Sequence, residues 1–332
     1  KWIVGLGVIP VALVGVLVAN TLMFTSTQLQ VDPVTVLIDV EAAASRLSQA
    51  VRLPTVSSQG AEFDGFPFLE LHDLLQHSFP QVHETLKREV VADYSLLYTW
   101  QGSDPSLKPM LLMAHQDVVP VEPGTEDSWT HPPFSGAIEG GAIWGRGTLD
   151  DKLNVLAQLE AVERLIADGF VPKRTLYLAF GHDEEIGGSG AVATAALLKE
   201  RGVALYLVLD EGGAIVADSM PGLSTAPAYV GISEKGYVTV ELVAHAAGGH
   251  SSMPPPHTAS GRIGAAVARL EANPMPAAFE GPTGDMLDAL GPEMGFGMRL
   301  VFANRWLLGP VVKAQMTARP PSAAMLRTTT AV

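Results

Sequence analysis

Residues 175–190 read TLYLAFGHDEEIGGSG, in which an apolar run leads directly into three consecutive acids and then into glycines. An apolar run of this length that ends at turn residues is typical of a buried strand. Three adjacent carboxylates repel one another, so they gain nothing structurally unless a cation neutralises them. The stretch therefore predicts a sheet strand whose carboxyl end carries a metal-binding or catalytic turn.

On both sides of this stretch, strand-like and helix-like segments alternate. Strand-like runs lie at 94–100, 110–114 and 205–209, and helical runs lie at 153–168 and 191–201. In the first helical run an apolar residue recurs every three positions, which indicates one buried face. The alternation predicts an α/β fold, a sheet with helices on both faces.

Length and composition predict two domains. The chain has 332 residues and 47% hydrophobic content, more than one ordinary core of roughly 100–200 residues needs. A smaller α+β domain is expected where a strand-like run at 237–243 precedes a helical run at 261–271. The predicted divisions are an N-terminal anchor or signal at 1–24, a linker at 25–37, a main domain at 38–232 and the smaller domain at 233–332.

Charge and cysteine content exclude several function classes. The formal net charge of −14 argues against a nucleic-acid-binding face and against electrostatic attachment to anionic lipid, so a peptide or another small substrate fits better. The chain has no cysteine. Any metal must therefore be held by His, Asp and Glu.

The N-terminal segment is expected to contact a membrane. After Lys1, residues 2–24 read WIVGLGVIPVALVGVLVANTLMF, an uncharged stretch of roughly the 20 residues that a bilayer core requires. We favour an uncleaved transmembrane signal anchor over a cleaved signal peptide, because no clear small-residue cleavage site is present. A helix buried in the core is the third alternative. The rest of the chain is accordingly expected outside the cytoplasm, either membrane-anchored or secreted.

Four segments place histidine or carboxylates at or just after the carboxyl end of a predicted strand, where open α/β sheets carry their binding sites. In LLMAHQDVVP, residues 111–120, His115 and Asp117 point the same way along a strand. Asp117 can then hold one ring N–H while the other nitrogen of His115 binds a metal. A hydrogen-bonded surface pair is the alternative for this triplet taken alone.

The remaining segments carry acids beside glycines. In GAIWGRGTLDDK, residues 141–152, Asp150 can bridge two cations, and a helix-capping role for Asp150 or Asp151 is equally open. In the opening stretch, one acid can ligate a metal while its neighbour takes the proton from attacking water. In ALYLVLDEGG, Asp210 or Glu211 is a further ligand, unless both are solvated acids at a strand end.

The segments HQDVVP, GRGTLDDK, GHDEEIGGSG, LDEGG and GGHSSMPP resemble the signature set of the aminoacylase/carboxypeptidase family of cocatalytic zinc peptidases. The apolar N-terminus, the HDEE spelling and the segment LRTTTA are most similar to its carboxypeptidase S branch, which includes enzymes that make and break N-fatty-acyl amino acids. The resemblance implies a mixed sheet sandwiched by helices at 38–232, the catalytic zinc-binding domain. It also implies an inserted smaller α+β lid at 233–332, incomplete here, of a kind often used for homodimerisation.

The resemblance implies two zinc ions per chain. It places His115 and Glu211 on one zinc and Glu185 on the other. Asp150 bridges both ions. A final histidine ligand and an arginine for the substrate carboxylate are expected late in the chain, but no histidine follows His257. We interpret the sequence as part of a longer protein, and a degenerate, non-catalytic relative is the alternative.

The resemblance also assigns the catalytic residues. Glu184 is the general base and acid, and Asp117 orients His115. His250 matches a lid histidine that stabilises the oxyanion, commonly across a dimer; without the resemblance, a solvated histidine in a glycine-rich turn is favoured. The implied function is zinc-dependent hydrolysis of an amide bond next to a free carboxylate, by a carboxypeptidase or an N-acyl-amino-acid hydrolase. The alternatives are an amidase acting on another small substrate and a non-catalytic metal-binding protein, and the chain on its own is expected to be inactive.

Overall fold

The computed structural model of the chain describes residues 2–58 and 63–332, with only the backbone for residues 2–9. The chain divides into two compact units. Val34–Glu211 form the first, which we call the sheet unit. The residues up to Pro33 and Gly212–Val332 form the second, which we call the helical unit.

The helices are α1 (Trp2–Met23), α2 (Val40–Val51), α3 (Phe66–Ser78), α4 (Pro80–Thr85), α5 (Lys152–Ala167), α6 (Ser189–Glu200), α7 (Ala259–Ala272), α8 (Pro282–Leu290), α9 (Phe296–Ala303), α10 (Arg305–Thr317) and α11 (Pro320–Leu326). The strands are β1 (Lys87–Val91), β2 (Ser95–Trp100), β3 (Met110–His115), β4 (Ala137–Glu139), β5 (Ala142–Trp144), β6 (Leu176–Gly181), β7 (Leu207–Leu209), β8 (Ala214–Ile215) and β9 (Ala228–Tyr229). Short 3₁₀ turns lie at Glu126–Ser128, Glu184–Ile186 and Gly291–Glu293.

The sheet unit is built on a five-stranded mixed sheet in the order β1-β2-β6-β3-β7. β2 is antiparallel to both β1 and β6, whereas β3 is parallel to both β6 and β7. The register pairs His115, at the end of β3, with Gly181, at the end of β6. The carboxyl ends of three neighbouring parallel strands therefore lie side by side.

Side chains on the strands alternate between two buried faces. In β2, Leu96 and Tyr98 pack in the larger core together with Phe180 of β6, whereas Leu97 packs on the other face with Leu198 of α6. The period of two along a strand produces this division. Helices α2, α3, α4 and α5 contribute to the larger core and α6 to the smaller one, so the predicted sheet sandwiched by helices is confirmed.

The helical unit has its own core, formed by Leu223, Leu287, Met294, Phe302 and Val312. Helices α8, α9 and α10 supply three of these side chains. The strands of this unit are the two-residue pair β8 and β9, which is antiparallel. Burial of helix faces, rather than sheet pairing, therefore organises this part of the described chain.

One sequence expectation in the helical unit holds and another fails. The helical run expected at 261–271 is α7, whose N-cap Thr258 accepts a hydrogen bond from the backbone N–H of Gly261 at 3.0 Å. The strand expected at 237–243 is wrong, since these residues have no regular secondary structure. Tyr237 is 93% exposed, and an apolar alternation does not make a stable strand without a partner to pair with. The predicted domain boundary at 232/233 stays a prediction.

The prediction that residues 1–24 form a transmembrane signal anchor is contradicted. Across the residues that the structure describes, no helix combines the length and the apolar character needed to cross a membrane. Lys1, the predicted flanking charge, lies outside the described residues. Helix α1 forms, and polar side chains near its end pair within the helical unit: Asn20 Nδ2 donates to Asn304 Oδ1 at 2.9 Å, and Thr21 is fully buried.

Candidate metal and active site

Three strand ends bring histidine and acidic side chains to one place. His115 is the last residue of β3, the turn Glu184–Ile186 follows β6, and Glu211 follows β7. Because β6, β3 and β7 are parallel neighbours, their carboxyl ends open at the same edge of the sheet. The order of the strands in the sheet therefore brings together the histidine- and acid-bearing segments that the sequence motifs indicated.

His115, Asp150 and Glu211 form a group whose metal-ligating atoms all lie within 4.8 Å of one another. His115 Nε2 is 2.9 Å from Asp150 Oδ1 and 3.3 Å from Glu211 Oε2. The histidine side chain is 3% exposed and that of Asp150 is 70% exposed, so the group is anchored in the interior and open to solvent. One imidazole nitrogen and two carboxylates are a donor set that zinc accepts, so these residues fit the metal that the sequence predicts.

Asp117 is fully buried and connects β3 to the turn after β6. Its Oδ1 accepts a hydrogen bond from the backbone N–H of Glu184, and its Oδ2 accepts one from Glu185, both at 3.1 Å. His115 Nδ1 lies 3.0 Å from the backbone C=O of Asp117 and 3.3 Å from its Oδ1. Asp117 therefore holds the imidazole ring through its C=O and its carboxylate, and the carboxylate also fixes the backbone of both glutamates.

Negative charge dominates the electrostatics of the group. Burial by itself lowers the pKa of His115, but the hydrogen bond and charge of Asp117, with a further contribution from Glu211, raise it to about 10. Burial first, and the charge of Glu211 second, raise the pKa of Asp151 to about 7. The site thus has a strong preference for positive charge, which a divalent cation can satisfy.

The carboxyls of Glu184 and Glu185 belong to the same electrostatic cluster. Burial is the largest cause of the raised pKa of each. The charge of Glu211 raises the pKa of Glu184 further, and the charge of Asp150 does the same for Glu185. A carboxyl group with a raised pKa is better matched to proton transfer near neutral pH than an ordinary one.

Asp151 was considered in the sequence only as a helix cap, yet it is a buried part of the site. It occupies the N-cap position of α5 and is fully buried. The backbone N–H of His115 donates to Asp151 Oδ2 at 3.2 Å, and the side chain of Asn154 donates to its Oδ1. Asp151 thus links the end of β3 to the start of α5 by hydrogen bonds, whereas the side chain of Asp150 faces His115.

Lys152 is a second residue that the sequence analysis missed. It is fully buried, and its Nζ donates to the C=O of Ala50 at 2.9 Å and of Leu53 at 2.5 Å. Burial lowers its pKa to about 7. The side chain joins the end of α2 to the start of α5, next to the loop that carries Asp150. The sequence feature that could have indicated Lys152 is the charged triplet DDK, residues 150–152, which follows a glycine-rich turn.

A cavity of about 850 Å³ opens beside Asp150 within the sheet unit. The walls include Trp129, Trp144 and Leu153, and the Arg146 guanidinium lies 5.2 Å from the ring centre of Trp129. Cavities of this size with aromatic walls and a few polar groups are typical ligand sites. The cavity reaches the metal-ligating group at Asp150.

His250 lies in the helical unit and is exposed. Its Nδ1 is 2.9 Å from Ser252 Oγ, and its C=O accepts a hydrogen bond from the backbone N–H of Met253 at 2.9 Å. These bonds close a local turn. Its role as an oxyanion-stabilising residue stays a prediction.

Fold and site together define an α/β protein whose parallel strand ends hold a histidine–carboxylate group suited to a divalent metal. The chain belongs to Peptidase family M20/M25/M40, whose family model matches residues 111–289. The matched span contains the four segments that carry the site. The family resemblance read from the sequence motifs is thereby confirmed.

Curated relatives agree with the carboxypeptidase S branch. The chain is 44% identical over 330 residues to Probable carboxypeptidase S-like 2 of Dictyostelium discoideum, covering 95% of this chain and 63% of the relative. It is 42% identical over 294 residues to N-fatty-acyl-amino acid synthase/hydrolase PM20D1 of Homo sapiens, covering 88% and 58%. It is 44% identical over 250 residues to Carboxypeptidase S of Saccharomyces cerevisiae, covering 72% and 43%. The chain therefore spans less than two thirds of the length of these relatives.

Proposed function

We propose that this chain carries the metal site of a zinc-dependent hydrolase that cleaves an amide bond next to a free carboxylate. The observation that supports it most is the convergence of His115, Asp150 and Glu211, with Glu184 in the same electrostatic cluster. The membership of Peptidase family M20/M25/M40 and the names of the relatives support the same reaction class. The substrate is a peptide or an N-acyl amino acid.

In this proposal His115 and Glu211 would hold one zinc ion, Glu185 would hold a second, and Asp150 would contribute to both. Bound zinc supplies Lewis acidity and lowers the pKa of water toward about 7. The buried carboxylate of Asp117 keeps the His115 ring and the glutamate turn in place while substrate binds. The cavity beside Asp150 receives the apolar part of the substrate.

Glu184 carries the proton in the proposed reaction. It accepts a proton from the water molecule that attacks the amide carbonyl carbon, and the new C–O bond forms. It then passes that proton to the leaving nitrogen as the C–N bond breaks, which yields a carboxylic acid and an amine. Its raised pKa suits a group that must both take and return a proton.

The wider features expected from the sequence belong to the same proposal. They are two zinc ions per chain, a homodimer formed through the lid, His250 at the oxyanion, and a location outside the cytoplasm. The dimer and the histidine can be tested together, because mixing a His250→Asn protein with a Glu184→Gln protein should restore activity only if His250 acts across subunits.

The central test is Glu184→Gln in the protein that carries this sequence, with zinc content and hydrolysis of N-acyl amino acids measured together. We expect zinc to be retained and the rate to fall at least about 100-fold, as expected for loss of a positioned general base. Glu200→Gln, at the exposed end of α6, is the matched control and should behave like the unchanged protein. Near-normal turnover by Glu184→Gln would remove Glu184 from this role.

A second comparison tests the requirement for a free carboxylate. Each N-acyl amino acid is paired with its C-terminal amide, which has the same shape but no negative charge. We expect the amide to be hydrolysed much more slowly. Equal rates would favour an amidase acting on another small substrate, and no hydrolysis by the zinc-loaded protein would favour a non-catalytic metal-binding protein.

A further inference from the structure

A buried amide lies directly between two residues of the proposed metal site. Gln116 is fully buried, and its neighbours in the chain are His115, which belongs to the metal-ligating group, and Asp117, which holds the His115 ring. The backbone N–H of Gln116 donates to the C=O of Gly181 at 2.7 Å, so the pairing with β6 continues past the end of β3. Successive side chains of an extended strand point to opposite sides, which directs Gln116 away from the metal group.

Every polar atom of the Gln116 side chain has a hydrogen-bond partner. Its Nε2 donates to the C=O of Tyr94 at 3.0 Å and to the C=O of Phe180 at 2.9 Å. Because both N–H groups are used as donors, Oε1 is the acceptor, and His72 Nε2 donates to it at 2.9 Å. Burial of an amide costs free energy unless its hydrogen bonds are made, and the Gln116 amide makes them all.

The Gln116 amide connects the end of β3 to three other parts of the sheet unit. Phe180 lies in β6, Tyr94 comes directly before β2, and His72 lies in α3. His72 is 3% exposed, and burial is the largest cause of its lowered pKa. The neutral imidazole ring, which has a single N–H, is therefore the form that donates to Gln116.

The backbone next to Gln116 is held as firmly as its side chain. The C=O of Gln116 accepts a hydrogen bond from Thr55 Oγ1 at 2.6 Å, and the backbone N–H of Val118 donates to the C=O of Thr55 at 3.0 Å. Thr55 is fully buried. Because His115 and Asp117 flank a residue whose backbone and side chain are both fixed, the directions of their side chains are fixed with it.

The stability of the core alone does not require this amide. An apolar side chain of the same shape would fill the position, and replacing a buried polar network by apolar groups is often neutral for stability. A metal site, in contrast, requires its ligands to be held close to one geometry by the residues behind them. Positioning of the metal ligand is therefore the better account of the buried network.

We propose that Gln116, supported by His72, is a positioning residue that sets the direction of His115 and Asp117 at the metal ion. Gln116 acts on the site through the backbone that it shares with these two residues, and its own side chain lies on the opposite side of that backbone. The inference rests on the proposed zinc site and adds to it a residue that neither ligates metal nor touches substrate.

Zinc binding by the protein that carries this sequence tests the proposal. Gln116→Met keeps the length of the side chain and removes the hydrogen bonds to His72, Tyr94 and Phe180. We expect the dissociation constant for zinc, measured by competition with a chelating dye, to rise roughly tenfold, which is equivalent to about 1.4 kcal/mol. The absorption spectrum of the cobalt(II)-loaded protein should change as well, because it reports the geometry of the metal ligands.

Tyr98→Phe is the matched control for the loss of a buried hydrogen bond. Tyr98 is fully buried in β2, and its hydroxyl lies 3.0 Å from His83 Nε2, in a part of the core without metal ligands. Tyr98→Phe should bind zinc like the unchanged protein. An equal loss of zinc affinity in Tyr98→Phe would overturn the proposal, because the loss would then follow from reduced stability of the core.

His72→Phe tests whether His72 acts through Gln116. This variant keeps a buried ring and removes one of the hydrogen bonds to the amide, so its zinc affinity should fall less than that of Gln116→Met. The double variant Gln116→Met/His72→Phe should bind zinc as Gln116→Met does, since two residues of one network are not additive. Additive losses would overturn the role given to His72.

The outcomes separate this inference from the proposed function. Unchanged zinc affinity and an unchanged cobalt spectrum in folded Gln116→Met would overturn the inference and leave the proposed zinc site in place. If Gln116→Met does not fold, His72→Phe decides, and zinc affinity equal to that of the unchanged protein would overturn the inference. Absence of zinc binding by the unchanged protein would overturn the proposed function and this inference together.

Discussion

Replacing Asp117 tests how the interior of the site is held together. Its carboxylate is fully buried and is the acceptor for the backbone N–H groups of Glu184 and Glu185, both at 3.1 Å. Asp117→Ala removes the acceptor of two part-buried backbone hydrogen bonds, each worth about 0.5–1.5 kcal/mol. The free energy of unfolding should therefore fall by about 1–3 kcal/mol. That is a measurable part of the roughly 5–15 kcal/mol that stabilises a typical domain.

Asp117→Asn provides a graded comparison. The amide has the same shape and keeps one oxygen acceptor, but its NH₂ group meets a backbone donor. We expect a smaller loss of about 0.5–1.5 kcal/mol, since only one of the two part-buried hydrogen bonds is lost. Zinc affinity should also fall by about 10-fold, the low end for loss of a partner behind a metal ligand, because the carboxylate helps to orient the His115 ring and the Asp117 C=O at 3.0 Å remains.

Urea unfolding of the metal-free chain, followed by fluorescence, measures the two losses. Hydrogen exchange at the amides of Glu184 and Glu185 reports them locally, and both amides should exchange faster in the alanine variant. Asp104→Ala is the control: Asp104 also accepts a backbone N–H, from Ser106 at 2.9 Å, but it is exposed, so water replaces it. An unchanged urea midpoint and unchanged exchange in Asp117→Ala would refute this account of the interior.

Two other predictions concern the metal and the charge of the site. Asp150→Ala should lose zinc and hydrolysis together, because Asp150 is proposed to serve both ions; two zinc ions retained per chain would contradict the bridging role. In the metal-free chain, Asp151 has its pKa raised from about 4 to about 7, so the folded state keeps a proton that the unfolded chain has released. The free energy of unfolding of the chain should thus fall by up to about 4 kcal/mol as the pH rises from about 4 to 7. Above about pH 7 the raised pKa of His115 and the lowered pKa of Lys152 act in opposite directions, so the test is confined to pH 4–7. Urea unfolding in the presence of EDTA, repeated between pH 4 and 7, measures this pH dependence. Bound zinc should reduce the pH dependence. A free energy of unfolding that does not change with pH would contradict the prediction.

Several elements could be predicted because their signals are local. The strand-like runs at 94–100 and 110–114 correspond to β2 and β3, and the helical run at 153–168 corresponds to α5 within one residue at each end. A strand that is buried on both faces reads as a continuous apolar run, and a helix with one buried face repeats every three to four residues. Both patterns need only the residues of the element itself.

Signals that depend on a distant partner were less informative. The apolar alternation at 237–243 resembles a strand, but the residues remain exposed and unpaired in the described chain. The apolar composition of residues 2–24 indicated a membrane span, a conclusion that the structure contradicts. In both cases the sequence shows that a segment is apolar and does not show whether another element packs against it.

The sequence by itself determined the chemistry that this protein can offer. Without cysteine, and with acids placed after apolar runs, it specified a histidine–carboxylate site, and its motifs indicated the peptidase family. The tertiary structure decided which side chains meet. The order β6-β3-β7 brings His115 next to Glu211, and the start of α5 turns Asp151 inward and Asp150 toward the histidine. The physical reason is that strand order and side-chain direction follow from long-range packing. Two adjacent aspartates look alike in the local sequence, so the sequence alone does not show which of them turns inward.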